Sequence, residues 1–163
     1  MPYAAQSQAD LTPPAKILSM SGLAFMKGLL AGEIAGAPIA ETLNLNLLEV
    51  DEGRVLFWGE PTFNALNPSG AVHGGWYGSL LDSALGCAVM TRVPQGSVYT
   101  TLEYKVNITR AIPMGMSVHC EAVVDHSGRS TAVAHADIRG VQDGKVYATG
   151  STTCIIMNLR PTG

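Results

Sequence analysis

The sequence predicts an α+β domain in which an antiparallel sheet wraps around one long central helix. Strand-like segments come in runs, two before the long helix and four after it, instead of alternating with helices. The breaks between them are short and built from turn residues. The long helix is apolar nearly all round, interrupted by a single carboxylate, and needs a sheet to cover it.

In chain order, residues 1–12 are polar and expected to fray. Pro13 and Pro14 then precede AKILSMSGLAFMKGLLAG, where Leu18, Phe25 and Leu29 recur at helical spacing beside a second stripe of Leu23, Met26 and Leu30. A helix is predicted there, ending between Gly28 and Gly32, because Pro suits a helix start and Gly its end. Residues 33–41, with Pro38, read as a loop. Residues 1–41 are thus an N-terminal helical extension, and residues 42–163 the main domain.

The pattern then changes. Residues 42–50 and 54–60 flank Asp51-Glu52-Gly53 and read as a hairpin. The stretch from Asn67 to Val93, NPSGAVHGGWYGSLLDSALGCAVMTRV, begins as a Pro/Gly-broken loop and turns at His73-Gly74-Gly75 into the long helix. Four strands follow, at 97–109, 117–125, 131–139 and 145–157. Ile112-Pro113-Met114-Gly115, Ser127-Gly128 and Asp143-Gly144 separate them. In the third of these, Ala132, Ala134, Ala136 and Ile138 alternate with polar residues, so a small-residue face lies close against the helix.

A chain of 163 residues with 47% hydrophobic and only 14% charged residues has a charge-poor surface, so part of its apolar area is expected to be covered by self-association. The formal charge of -3 gives no general attraction to nucleic acid or to anionic membrane. Cys87, Cys120 and Cys154 are odd in number, widely spaced and without a C-x-x-C pair. That argues for reduced, inert thiols in the cytoplasm and against a disulfide framework or zinc site. No basic leader precedes the first apolar run, which carries Lys27 and Glu33, and no span is expected.

Several chemistries lack their motifs: there is no G-x-S-x-G, no G-x-x-x-x-G-K-[ST] and no G-x-G-x-x-G. His119 and His135 are placed to meet across neighbouring strands, but no metal-ligand set is expected from them. What remains is a helix start with unpaired backbone N–H groups at Gly74 and Gly75, and Asp82 two turns further on. Such an N–H stabilises the oxyanion formed when an acyl carbonyl is attacked. A carboxylate can attack directly or deprotonate water. Equipment this sparse suits an activated acyl group such as a thioester, whose thiolate leaves without a general acid.

Asn67, then Gly70-Ala71-Val72-His73-Gly74-Gly75, then Asp82, resemble the signature of hotdog-fold acyl-CoA thioesterases. The likeness is to the PaaI-like (phenylacetate degradation) branch of the 4-hydroxybenzoyl-CoA thioesterase superfamily, and it covers roughly residues 43–157. It implies roles for individual residues. Gly74 would polarise the thioester carbonyl with His73 shaping that corner, Asp82 would be nucleophile or base, Asn67 would orient carbonyl or water, and Thr101 would stand near the attacking water. It further implies that CoA belongs to the substrate with no separate cofactor, and that Arg129, Ser130 and Thr131 hold its phosphate, with Arg110 a second candidate. The chain would be a homodimer or dimer of dimers in which His73 and Gly74 of one subunit face Asp82 and Thr101 of the other. The same fold hosts acyl-thioester hydratases and dehydratases and non-catalytic acyl-CoA-binding regulators, which stand as alternatives. Trp76 and Tyr77 are open to a role in an acyl pocket, an interface or the core.

Overall fold

The computed structural model describes residues 3–159. Residues 1–2 and 160–163, the outer ends of the extension and of the main domain, lie outside the described residues. The elements are α1 (Pro14–Leu18), α2 (Gly22–Ala31), α3 (Pro38–Thr42), β1 (Leu45–Asp51), β2 (Arg54–Gly59), α4 (Gly74–Met90), β3 (Ser97–Ile108), β4 (Val118–Ser127), β5 (Thr131–Gly140) and β6 (Val146–Asn158). Six strands form one antiparallel sheet in the order β1-β2-β4-β5-β6-β3, curled around α4. This is the hotdog fold that the sequence predicts.

The helix side of the sheet is made by alternation. On β5, Ala132, Ala134 and Ile138 are fully buried, and their short side chains let α4 approach. From the helix, Leu80, Leu81, Ala84, Leu85, Ala88 and Val89 are fully buried against the sheet. At about 25 cal/mol per Å² of apolar area, this shared core is the main stabilising term. Thr91 closes α4 and accepts the Gly53 N–H at 2.7 Å, tying the helix end to the β1–β2 turn.

Three expectations about the extension need correction. Residues 3–6 are anchored, not frayed: Ala5 N–H donates to Gly36 O at 2.9 Å and Gly36 N–H to Tyr3 O at 2.8 Å, leaving Ala5 buried, and Gln6 Nε2 donates to Glu41 Oε2 at 2.6 Å. The single expected helix is two, α1 and α2, split at Ser19-Met20-Ser21, because Ser21 caps α2 by accepting from Ala24 N–H. The stretch read as a loop contains α3, started by Pro38. The break between α1 and α2 has a tertiary purpose as well. Gly22 N–H donates to Val93 O at 2.9 Å, Gly96 N–H to Leu18 O at 3.0 Å, and Gln95 Nε2 to Ser19 O at 2.9 Å. Met26 joins the same core as α4 and the sheet.

β3 lies at an edge of the sheet and pairs only with β6. Its register slips between Thr101 and Glu103, leaving Leu102 as the extra residue of a β-bulge. The bulge sets which β3 side chains face α4, because adding one residue to a period of two switches faces.

Candidate active site

His73 is the N-cap of α4, and its Nδ1 accepts the Gly75 N–H at 2.8 Å. That bond requires Nδ1 to be bare, so the ring proton sits on Nε2. The Trp76 N–H is taken by His73 O at 2.9 Å. Of the three N–H groups that open the helix, only that of Gly74 is left without a partner among the described residues. The two candidate donors of the sequence thereby reduce to one, and the positive end of α4 is aimed through it.

Asn67 braces the approach to this corner. Its Oδ1 accepts from Ser69 N–H (3.0 Å), Ser69 Oγ (2.7 Å) and Ala71 N–H (3.1 Å), so the side-chain oxygen is spent on the loop. His73 N–H donates to Ala65 O at 2.8 Å, which fixes the loop from the other side.

Asp82 lies two turns along α4, about 12 Å from Gly74 at ~1.5 Å per residue. It is half-buried, and Thr101 Oγ1 donates to its Oδ1 at 3.2 Å. Among the described residues no lysine, arginine or histidine pairs with it. The structure therefore brings Asp82 together with Thr101 and places Asn67 in the loop that leads to His73 and Gly74, but leaves the two groups apart within one chain.

The face of α4 that holds Asp82 repeats every four residues as Gly74, Gly78, Asp82 and Gly86. Each position meets a β3 side chain in reverse order. A Cβ on Gly74 would lie 3.6 Å from Ile108 Cδ1, one on Gly78 3.3 Å from Tyr104 Oη, and one on Gly86 2.6 Å from Tyr99 Oη. The bulge at Leu102 makes this possible by putting Tyr99 and Thr101 on the same side as Tyr104 and Ile108. Sequence reasoning missed the two tyrosines, although the four-residue glycine spacing was a usable signal.

The thiols near Asp82 stay protonated. Burial, followed by the charge of Asp82, pushes Cys87 up to about 12, and burial raises Cys154 and Cys120 as well. None is a nucleophile at neutral pH. Trp76 and Tyr77 belong to the core: Trp76 Nε1 donates to Leu43 O at 2.9 Å, and Tyr77 Oη accepts the Ile112 N–H at 2.7 Å. His119 and His135 do not meet, since His119 pairs with Arg139 and His135 with Val123. His135 Nδ1 lies 2.7 Å from Asp125 Oδ1 instead. Arg129 and Ser130 stand exposed in the β4–β5 turn with Thr131 at the start of β5, and Arg110 lies beyond the other end of β3.

The thioesterase-superfamily model matches residues 69–147. A conserved protein of Pseudomonas aeruginosa is 30% identical, over 75% of this chain and 95% of its own, with a TM-score of 0.69. The chain belongs to the thioesterase superfamily. Among its structural relatives is a phenylacetic acid degradation-related protein of Ralstonia eutropha, 28% identical over 80% of this chain and 98% of the other, with a TM-score of 0.73. A Streptococcus pneumoniae protein, described as a hypothetical thioesterase and solved with coenzyme A, shares the fold. It is 24% identical over 72% of this chain and 88% of its own, with a TM-score of 0.65. No curated protein sequence matches the chain. In this thioesterase the matched region holds the helix start, Asp82, Thr101 and the β4–β5 turn, while α1, α2 and α3 precede it. No helix among the described residues is long and apolar enough to cross a membrane.

Proposed function

We propose that this thioesterase hydrolyses acyl-CoA to a free carboxylic acid and CoA, with each site assembled from two subunits. The observation that carries the reading is Asp82: a carboxylate on an apolar helix, with no cation among the described residues to neutralise it, held from one side by Thr101. Burying an unpaired carboxylate is costly, and a group kept at that cost in a groove is a candidate for chemistry. Thr101 occupies Oδ1 and leaves Oδ2 free.

In the general-base form, Oδ2 takes a proton from water while the water oxygen bonds to the carbonyl carbon. The carbonyl oxygen becomes an oxyanion and accepts the Gly74 N–H of the other subunit. The C–S bond then breaks and CoA leaves as the thiolate. In the nucleophilic form, Oδ2 itself bonds to the carbonyl carbon, CoA leaves, and water hydrolyses the resulting anhydride. The same residues serve both routes.

Two subunits are required because about 12 Å separates Gly74 from Asp82, more than one carbonyl and one water span. β3 supplies the means. It is 12 residues long, has one edge unpaired, and exposes Leu102, Tyr104 and Ile108. An edge of that length and character is a template for a second copy. Since Ile108 lies by Gly74 and Thr101 by Asp82, antiparallel pairing of two β3 strands carries the helix start of one subunit toward Asp82 of the other. The Streptococcus pneumoniae relative was solved with coenzyme A. By analogy Arg129, with the hydroxyls of Ser130 and Thr131, takes a CoA phosphate, its planar guanidinium suiting bidentate contact.

The test is thiol release over a panel of acyl-CoA esters. Asp82→Ala and Asp82→Asn are expected to lower kcat by ~10²–10⁴ while leaving fold and self-association intact. Near-normal turnover by either variant would falsify the mechanism, and loss or gain of enoyl absorbance without thiol release would indicate a hydratase instead.

A further inference from the structure

Beyond Asp82, toward the C-terminal end of α4, one β3 side chain closes over the helix. Tyr99 lies across Gly86, its hydroxyl so near the helix that a Cβ on Gly86 would sit 2.6 Å from it. Two residues further along β3 stands Thr101, which pairs with Cys154 of β6 and holds Asp82. Among the described residues nothing hydrogen-bonds the Tyr99 hydroxyl, yet none of the sealed side-chain oxygens or nitrogens lacks a partner. The hydroxyl therefore retains some contact with solvent. One turn to the other side of Asp82, Tyr104 lies over Gly78 in the same way, 3.3 Å from where a Cβ would be. Asp82 and Thr101 thus stand in a gap walled by a tyrosine on either side.

We propose that Tyr99, seated on Gly86, is the end wall of the acyl compartment and limits this thioesterase to short acyl groups. The inference rests on the reading of Asp82 as the reacting carboxylate. Four residues separate Asp82 from Gly86, about 6 Å along the helix at ~1.5 Å per residue. An extended chain with bonds of ~1.5 Å fits roughly four carbon–carbon bonds in that length. Acyl groups up to about five carbons end at the phenol, and markedly longer ones collide with it. The wall is a matter of shape: the phenol lies directly over Gly86, which has no side chain to displace it.

The experiment measures kcat/KM by thiol release for butyryl-, hexanoyl-, octanoyl- and decanoyl-CoA, with the wild type, Tyr99→Phe, Tyr99→Leu and Tyr99→Val side by side. The wild type is expected to lose at least 10-fold between hexanoyl and decanoyl, and Tyr99→Phe to keep that profile. Tyr99→Leu and Tyr99→Val are expected to raise the decanoyl-to-butyryl ratio at least 10-fold, mainly through a lower KM for the long ester. Either truncated variant suffices if the other does not fold. A wild type as active on decanoyl as on butyryl, or a folded truncation with an unchanged profile, overturns the inference while leaving thioester hydrolysis in place. Absence of thiol release from every ester with the wild type overturns the underlying reading and the inference together.

Discussion

His73 shows how one side chain selects among backbone donors. By capping Gly75, its imidazole removes one N–H from the opening turn of α4 and leaves that of Gly74 free. The residue that resemblance placed near the substrate has, in the structure, a positioning contact. Asn is a strong N-cap that can make the same bond, whereas Ala cannot. His73→Ala is therefore expected to lower stability by about 1 kcal/mol and His73→Asn by a few tenths, read from denaturant midpoints, with kcat falling in the same order. A His73→Asn enzyme as slow as Asp82→Ala would instead assign the imidazole to the chemistry. Asn67 makes a related point, since its Oδ1 already serves three donors in the loop.

At the scale of elements, two contacts control the site without touching substrate. The bulge at Leu102 keeps Tyr99 and Thr101 on the same side as Tyr104 and Ile108; a regular strand would turn one of these pairs outward. The second contact is the seat of α2. A Cβ on Gly22 would lie 1.8 Å from the Met90 carbonyl oxygen, a backbone atom at the end of α4 that cannot swing aside. Gly22→Ala is expected to cost ~1–3 kcal/mol by overpacking and to open the α1–α2 linker to limited proteolysis. An unchanged denaturation midpoint together with a protected linker would show that the extension yields at this contact. The extension, outside the region of family likeness, is packed into the core of the domain through Met26.

At the scale of the whole molecule, the separation of Gly74 from Asp82 makes a prediction that no single-chain account shares. Gly74→Pro deletes the N–H while suiting the first helical position, and the extended His73 (ψ 137°) is compatible with a following proline. Alone, this variant is expected to lose ~10²–10³ in kcat, as does removal of an oxyanion donor elsewhere. Asp82→Ala is likewise expected to be slow. Refolded together in equal amounts, the two inactive chains are expected to regain roughly a quarter of wild-type thiol release. Half of the random dimers are hybrids, and each hybrid has one intact site of two. A mixture no more active than its components would place Gly74 and Asp82 in sites that do not cross subunits.

Much of this was legible in the chain itself, for local reasons. Turn residues at 51–53, 127–128 and 143–144 set the strand breaks, alternation on residues 131–139 set the buried face, and the spacing from His73 to Asp82 marked the groups proposed to react. These signals depend on neighbours within a few residues. What only the tertiary structure decided depends on residues far apart: that Asp82 is held by Thr101 and, among the described residues, by no cation, that Gly75 is capped while Gly74 has no partner among them, that a bulge brings two tyrosines onto two glycines, and that the extension folds into α1, α2 and α3 against the core. The stretch from Asn67 to Val93 thus contained the groups proposed to react in its own order of residues. Their partners came from β3, whose register is set by long-range pairing with β6 and by packing on α4.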